Sequence, residues 1–189
     1  MFSALPFTSW VNAKHGNKMS NEKPIEDKII QLLKQDPYSL KFQSTSNIEY
    51  QNIGRLINGS PFDILQDTSD WNQHKNICID ISGQMTPDIV IRSKVTNQNR
   101  IIIEVKDWAR ISNNGRQLRS YFIHLLVTTT RDASVSGGIV RAIILAAPDH
   151  WFRDRNRYAA YDIFLQECAG LANDYGIVLA AINMADISL

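Results

Sequence analysis

The chain has 189 residues, 44% of them hydrophobic, which is enough for one well-buried core and short for two. Its formal net charge of +1 excludes a global positive field that would draw it onto polyanions, so any affinity for nucleic acid must come from local Arg and Lys clusters. No apolar run approaches the roughly 18 residues of a membrane span, and Cys78 and Cys168 lack zinc or disulfide spacing, so the expectation is core thiols in a reducing, cytoplasmic setting with no membrane partner.

Residues 1–22 show neither helical nor strand period and are read as an N-terminal arm, leaving 23–189 as the folded domain. From Pro24 to Gln35 the residues Ile25, Ile29, Ile30, Leu32 and Leu33 form one helical stripe, with the proline in the first turn. Ser46 followed by Glu49 suggests a capping box for a second short helix through Ile53, Leu56 and Ile57, ending at Asn58 and Gly59.

The period then changes. Asn76–Ser82, Asp88–Arg92 and Arg100–Lys106 are Ile- and Val-rich runs separated by polar turns, and they read as three strands. A helix over Gly115–Val127 carries Leu118, Phe122 and Leu125 on its apolar face, and a Thr/Ser/Gly-rich loop covers 128–138. Ile139–Ala147 is an apolar strand, 152–173 a helix, and Ile177–Ile182 a second apolar strand after Gly176, together a β-α-β crossover.

The chemistry concentrates in the middle pair of strands. So short a connection as Ser93 to Asn99 makes them antiparallel. A turn centred near Thr96 sets Asp88 opposite Glu104, since each lies eight residues from it, and directly opposed side chains sit roughly 5 Å apart at Cβ. The two-residue period keeps Lys106 on that face and turns Ile101, Ile103 and Val105 to the other. Two carboxylates so close repel unless a cation lies between them, and hard oxygen ligands suit Mg²⁺ or Mn²⁺, which can polarise a phosphodiester and activate water. Lys106 is placed to orient or deprotonate that water or to neutralise charge on phosphorus.

Pro87-Asp88, a strand, a turn and Glu104-Val105-Lys106 resemble the PD-(D/E)xK nuclease superfamily. That resemblance implies an α/β fold with a restriction-endonuclease-like core, a mixed sheet flanked by helices in the order α-β-β-β-α-β with a further α-β. It also implies a Mg²⁺-dependent nuclease, with Asp88 and Glu104 on the metal and DNA as the foremost substrate, RNA as another. The family often adds an acid from the first helix. Glu26 falls inside the buried stripe, between Leu33 and Ile30 on the helical wheel, so a metal or Lys106 would partner it. An acid near a helix N-terminus is also favoured by the macrodipole, so both roles stay open, with Glu22 a weaker substitute. Gln117 and Tyr121 look like the Gln-xxx-Tyr helix of RecB-like nucleases and of type I restriction enzymes, and Lys106-Asp107-Trp108 is similar to the nuclease-related domain. The resemblance assigns Gln117 to positioning the phosphate or Lys106.

Arg110, Arg116 and Arg119, with Tyr121, are candidates for nucleic-acid contact, since arginine presents a bidentate fork to phosphate. Arg153, Arg155 and Arg157 form a second cluster that solvated helix faces explain equally well, and Trp151 and Phe152 suit either base stacking or core packing. His15, His74, His124 and His150 lack ligand spacing, and Asp80 reads as a solvent-facing strand residue. No motor or target-recognition domain fits in this length, so specificity would require loops, a homodimer or a partner protein. The competing readings are a catalytically inactive nuclease-fold module that binds nucleic acid or protein, and, less favoured for want of a Gly-rich loop, an enzyme of small phosphate compounds.

Overall fold

A computed structural model describes residues 22–44, 51–66, 86–108, 111, 115–128 and 138–187. The capping box at Ser46 and Glu49, the strand over Asn76–Ser82, Asp80, Arg110 and most of residues 1–22 and 128–138 lie outside them.

Helix α1 spans Glu22–Gln35, and Ile25, Ile29 and Leu33 supply its buried stripe. After a 3₁₀ turn come β1 (Gln43–Ser44) and α2 (Ile53–Ile57). The start of α2 differs from the sequence expectation: Asn52, not Ser46, is its N-cap and accepts from the Arg55 N–H at 2.9 Å. Asn58 ends it in the left-handed region at φ 49°. Then follow β2 (Phe62–Gln66), β3 (Ile89–Ser93), β4 (Asn99–Val105), α3 (Arg116–Thr128) and β5 (Arg141–Ala147). The single helix expected over 152–173 is two, α4 (Asp149–Arg153) and α5 (Arg155–Tyr175), followed by β6 (Ile177–Asn183). Asp154 makes the break. Its backbone is extended and its carboxylate caps α5 through the N–H groups of Asn156 and Arg157 at 2.9 and 3.2 Å.

The strands form one mixed sheet in the order β1-β6-β5-β4-β3-β2. β4, β5 and β6 run parallel, and β3 pairs antiparallel with β4 as its hairpin partner. β2, which the hydropathy pattern did not announce, takes the edge beside β3. Ile101, Ile102 and Ile103 are all fully buried because helices cover both faces. On one face Ile101, Ile103 and Val105 pack with α1 and α2. On the other, Ile102, Ile143 and Leu145 pack with Leu118, Phe122 and Phe164 of α3 and α5. The result is an α/β domain with a mixed sheet between helical layers. No helix among the described residues is long and apolar enough to cross a membrane.

Candidate active site

The β3/β4 register decides whether the charged residues meet. Ile89 pairs with Ile103, Val90 with Ile102 and Ile91 with Ile101. One further step of this ladder sets Asp88 opposite Glu104. At the far end Arg92 pairs with Asn99, leaving Arg100 as an extra residue of β4. The irregularity thus falls at the turn end, where Ser93 Oγ accepts from the N–H groups of Val95 and Thr96 at 3.2 and 3.3 Å, and the register at Asp88 is preserved.

Glu104 is only 1% exposed and sits at the centre of the cluster. Lys106 Nζ is ion-paired and hydrogen-bonded to Glu104 Oε1. Gln117 Nε2 donates to the same oxygen at 2.6 Å and to the Tyr121 hydroxyl at 2.9 Å, and that hydroxyl donates to Glu104 Oε2 at 3.0 Å. One turn of α3 therefore clamps the carboxylate from above while β4 presents it from below. Asp88 Oδ2 accepts from the Val105 N–H at 2.6 Å, which fixes the second carboxylate at the end of the pairing.

Burial dominates the electrostatics of the cluster. Burial, then the Glu104 carboxylate, push Asp88 up to about 7, against the lowering effect of the Val105 N–H and Lys106. Burial also raises Glu104, more than Lys106 and Tyr121 lower it. Burial alone would lower Lys106, but Glu104 beside it outweighs this and the ammonium is held above its ordinary range. The Tyr121 phenol is pushed well above its usual range by burial and by Glu104, so it stays a donor. Glu26 acts on Asp88, and Glu22 acts on both Glu104 and Lys106, so two acids one turn apart on α1 overlook the cluster. Glu26 also pairs with Lys23 at 3.2 Å.

Two assignments change. Tyr121, expected at the nucleic-acid surface, is fully buried and holds Glu104 instead. Arg119 lies two residues from Gln117, about 200° around the helix, and pairs with Glu167 of α5, away from the cluster. Arg116 is partly exposed in the first turn of α3. Of the second arginine group, Arg153 pairs with Asp149 at 2.6 Å, and Arg157 pairs with Asp154 at 2.9 Å while donating from Nε to the Trp108 carbonyl at 2.9 Å. Trp151 is fully buried, so it packs in the core and does not stack on bases.

The sequence marked Lys106-Asp107-Trp108 but not what gathers around it. Trp108 is 50% exposed, stacks on His150 at 4.3 Å and lies 5.2 Å from the Arg157 guanidinium. His150 Nε2 is 3.1 Å from the Asp107 carbonyl, and the buried Asp107 Oδ2 has no hydrogen-bond partner among the described residues. The aromatic residue after the Lys was a visible signal for this grouping; the histidine, 42 residues later in the chain, carried none.

A divalent cation fits this donor set. Among the described residues no group of three or more His, Cys, Asp or Glu side chains forms a ready-made cage. Mg²⁺ does not need one, since it is commonly held by one or two carboxylates with water and substrate phosphate completing the shell. Asp88 and Glu104, opposed across the β3/β4 pairing, are the two carboxylates available for this, and burial first and Glu104 second raise Asp88, a cost that a bound cation would offset. Compared with protein-family models, curated proteins and solved structures, the chain matches none of them.

Proposed function

We propose that this protein is a metal-dependent nuclease with a restriction-endonuclease-like core, hydrolysing phosphodiester bonds in DNA as an endonuclease. The observation that carries the reading is the convergence of Asp88, Glu104 and Lys106 at one end of the β3/β4 hairpin, with Gln117 and Tyr121 holding Glu104 from α3.

Asp88 and Glu104 would hold a Mg²⁺ ion, Mn²⁺ substituting; Glu26, whose charge acts on Asp88, would add a ligand only if α1 shifted toward the pair, since the three acids do not form a ligand group as they stand. When bound, the ion supplies positive charge against the phosphodiester. Lys106 contributes a charged ammonium next to that position, suited to orienting the attacking water or offsetting charge on phosphorus. Gln117 and Tyr121 keep Glu104 in one orientation, the support that metal ligands usually require. Arg116 is the described arginine best placed to meet phosphate, from the first turn of the helix that bears Gln117. A homodimer, or a separate targeting or motor protein, would supply specificity, and the working location would be the cytoplasm.

A second reading has its own observation. Glu104 already receives hydrogen bonds from Lys106, Gln117 and Tyr121, as a purely structural buried ion pair would. In that case the domain is an inactive module that binds nucleic acid or protein. Incubation with plasmid, linear and branched DNA and with RNA, in Mg²⁺, Mn²⁺ or EDTA, decides between them. Cleavage that depends on metal supports the nuclease; binding without cleavage on every substrate supports the module.

A further inference from the structure

A cavity of about 440 Å³ opens between β1 and the start of α5. Small-molecule sites typically occupy roughly 300–1,000 Å³. Its walls include Phe152 of α4 and Tyr158 and Tyr161 of α5, the two tyrosines meeting edge to face at 5.9 Å. Tyr158 is 37% exposed and Phe152 partly so, whereas Trp151 and Phe164 nearby are fully buried. The rings of Tyr158 and Phe152 thus border open space on one side, while Phe152 packs on the core and against Trp151 on the other. Lys41 and Gln43 bring an ammonium and a carboxamide to the same cavity from the β1 side.

Tyr161 adds an unexplained polar group. The residue is 3% exposed, and its hydroxyl is buried with no hydrogen-bond partner among the described residues. Leaving such a group unpaired is unfavourable, and native folds keep few of them. The Tyr161 ring lines the cavity, and a small shift of it would bring this enclosed hydroxyl to an acceptor on a bound molecule.

These features select a chemistry. Flat aromatic walls favour a planar ring, an ammonium favours an anion, and amide and hydroxyl groups favour a ring with a hydrogen-bonding edge. We propose that the cavity is a nucleotide site, with the base against Phe152 and Tyr158 and the phosphate at Lys41.

Its position agrees. β4, β5 and β6 are parallel neighbours, so Lys106 beyond β4 and the cavity residues Ala181 and Asn183 of β6 lie at the same edge of the sheet. Two strand spacings, roughly 10 Å, separate those strands, and the carboxyl edge is where open α/β sheets take ligands. A strand crossing that edge would present a phosphate to Lys106 and an unpaired base to the cavity; a free nucleotide would fill the cavity alone. Only the strand alternative rests on the nuclease reading.

Calorimetric titration of the full chain in EDTA keeps binding apart from cleavage. The probes are adenosine 5′-monophosphate and a single-stranded deoxyadenosine oligonucleotide, on the wild type, Lys41→Ala, Tyr158→Ala and Tyr161→Phe. The expected result is saturable binding to the wild type, weakened roughly tenfold or more in Lys41→Ala and Tyr158→Ala. Tyr161→Phe should weaken it while leaving the melting temperature unchanged or higher. Binding of the mononucleotide assigns a free nucleotide, and binding of the oligonucleotide alone assigns a strand. No saturable binding, or binding that Lys41→Ala and Tyr158→Ala leave unchanged, overturns the proposal. Intact binding by a protein that cuts nothing in Mg²⁺ supports it and counts against the nuclease reading alone.

Discussion

Asp88 and Val105 are joined by a 2.6 Å hydrogen bond from the Val105 backbone N–H to the Asp88 carboxylate. Where the next ladder pair would stand, the side chain of β3 thus takes over from its backbone and ties itself between Glu104 and Lys106. Asp88→Asn keeps an acceptor for that N–H and removes the charge. It should fold normally, lose metal-dependent cleavage, and be at least as stable as the wild type at pH 7.5 without metal. Thermal melting and a cleavage assay on the same preparation check this.

The raised Asp88 makes a pH prediction with a definite sign. Its carboxyl titrates near 3.8 in the unfolded chain and near 7 in the fold, so between these values the folded protein holds a proton that the unfolded chain does not. The stability this contributes is complete below about 3.8 and disappears as pH rises through 7. Each tenfold difference in proton affinity between the folded and unfolded carboxyl is worth about 1.4 kcal/mol. Without metal, the wild type should lose stability relative to Asp88→Asn between pH 5 and pH 8. Mg²⁺ competes with that proton, so its stabilising effect should grow over the same range. Denaturant melts of both proteins at several pH values measure each trend.

Tyr121→Phe deletes the hydrogen bond to the buried Glu104 carboxylate and the acceptor for Gln117 Nε2, and leaves the ring in place. The expected cost is about 1.5–3 kcal/mol of stability, typical of a bond to a charged group. Cleavage should fall roughly 10- to 100-fold, the usual loss when support for a metal ligand is removed. Gln117→Ala should behave similarly in activity. A Tyr121→Phe protein with wild-type stability and wild-type rate would show that the clamp on Glu104 is idle.

Gly115 sits at φ 82°, just before α3, and a Cβ there would come within 2.7 Å of the Ala160 carbonyl oxygen of α5. Gly115→Ala is therefore strained twice, by backbone conformation and by contact with backbone. It should lower stability by more than about 1 kcal/mol and reduce cleavage, because Gln117 and Tyr121 begin the helix it displaces. Gly176 also has positive φ, 65°, but nothing lies within 4 Å of its added Cβ, so Gly176→Ala should be the milder change. Comparing the two melts tests the difference.

The hairpin was readable because its residues leave little choice. Ile and Val fill both faces around Asp88 and Glu104, so the short polar turn at Ser93 to Asn99, and not the apolar pattern, sets the register. Glu104 and Lys106 sharing a face, and the β-α-β unit ending in β6, follow from equally simple periods. Tyr121 was misread although its spacing held the answer. Leu118, Tyr121, Phe122 and Leu125 form one i, i+3, i+4, i+7 stripe, and all four are buried. A phenol on that stripe must bring its hydroxyl to a polar partner in the interior, here Glu104. The edge strand β2 escaped because five residues with partly exposed side chains give weak alternation. The break at Asp154 is local capping chemistry inside a sequence whose overall helical character continues. Glu22 and Glu26 illustrate another limit: the helical wheel placed Glu26 on the first helix and left Glu22 in the arm, whereas α1 begins at Glu22 and its docking brings both acids toward Asp88 and Lys106.

The most direct test concerns Glu104. Alanine is the obvious substitution, but it would leave Lys106 buried without its partner, a loss of about 3–5 kcal/mol, so the isosteric Glu104→Gln is the better probe. Nicking of supercoiled plasmid by wild type and Glu104→Gln should be followed in Mg²⁺ and in EDTA, with folding of both verified by melting. The wild type should nick only with Mg²⁺, and folded Glu104→Gln should be slower by a factor on the order of 1,000 or more, about 4 kcal/mol of transition-state stabilisation. No metal-dependent nicking by the wild type, or undiminished nicking by the variant, would contradict an active site built on Glu104.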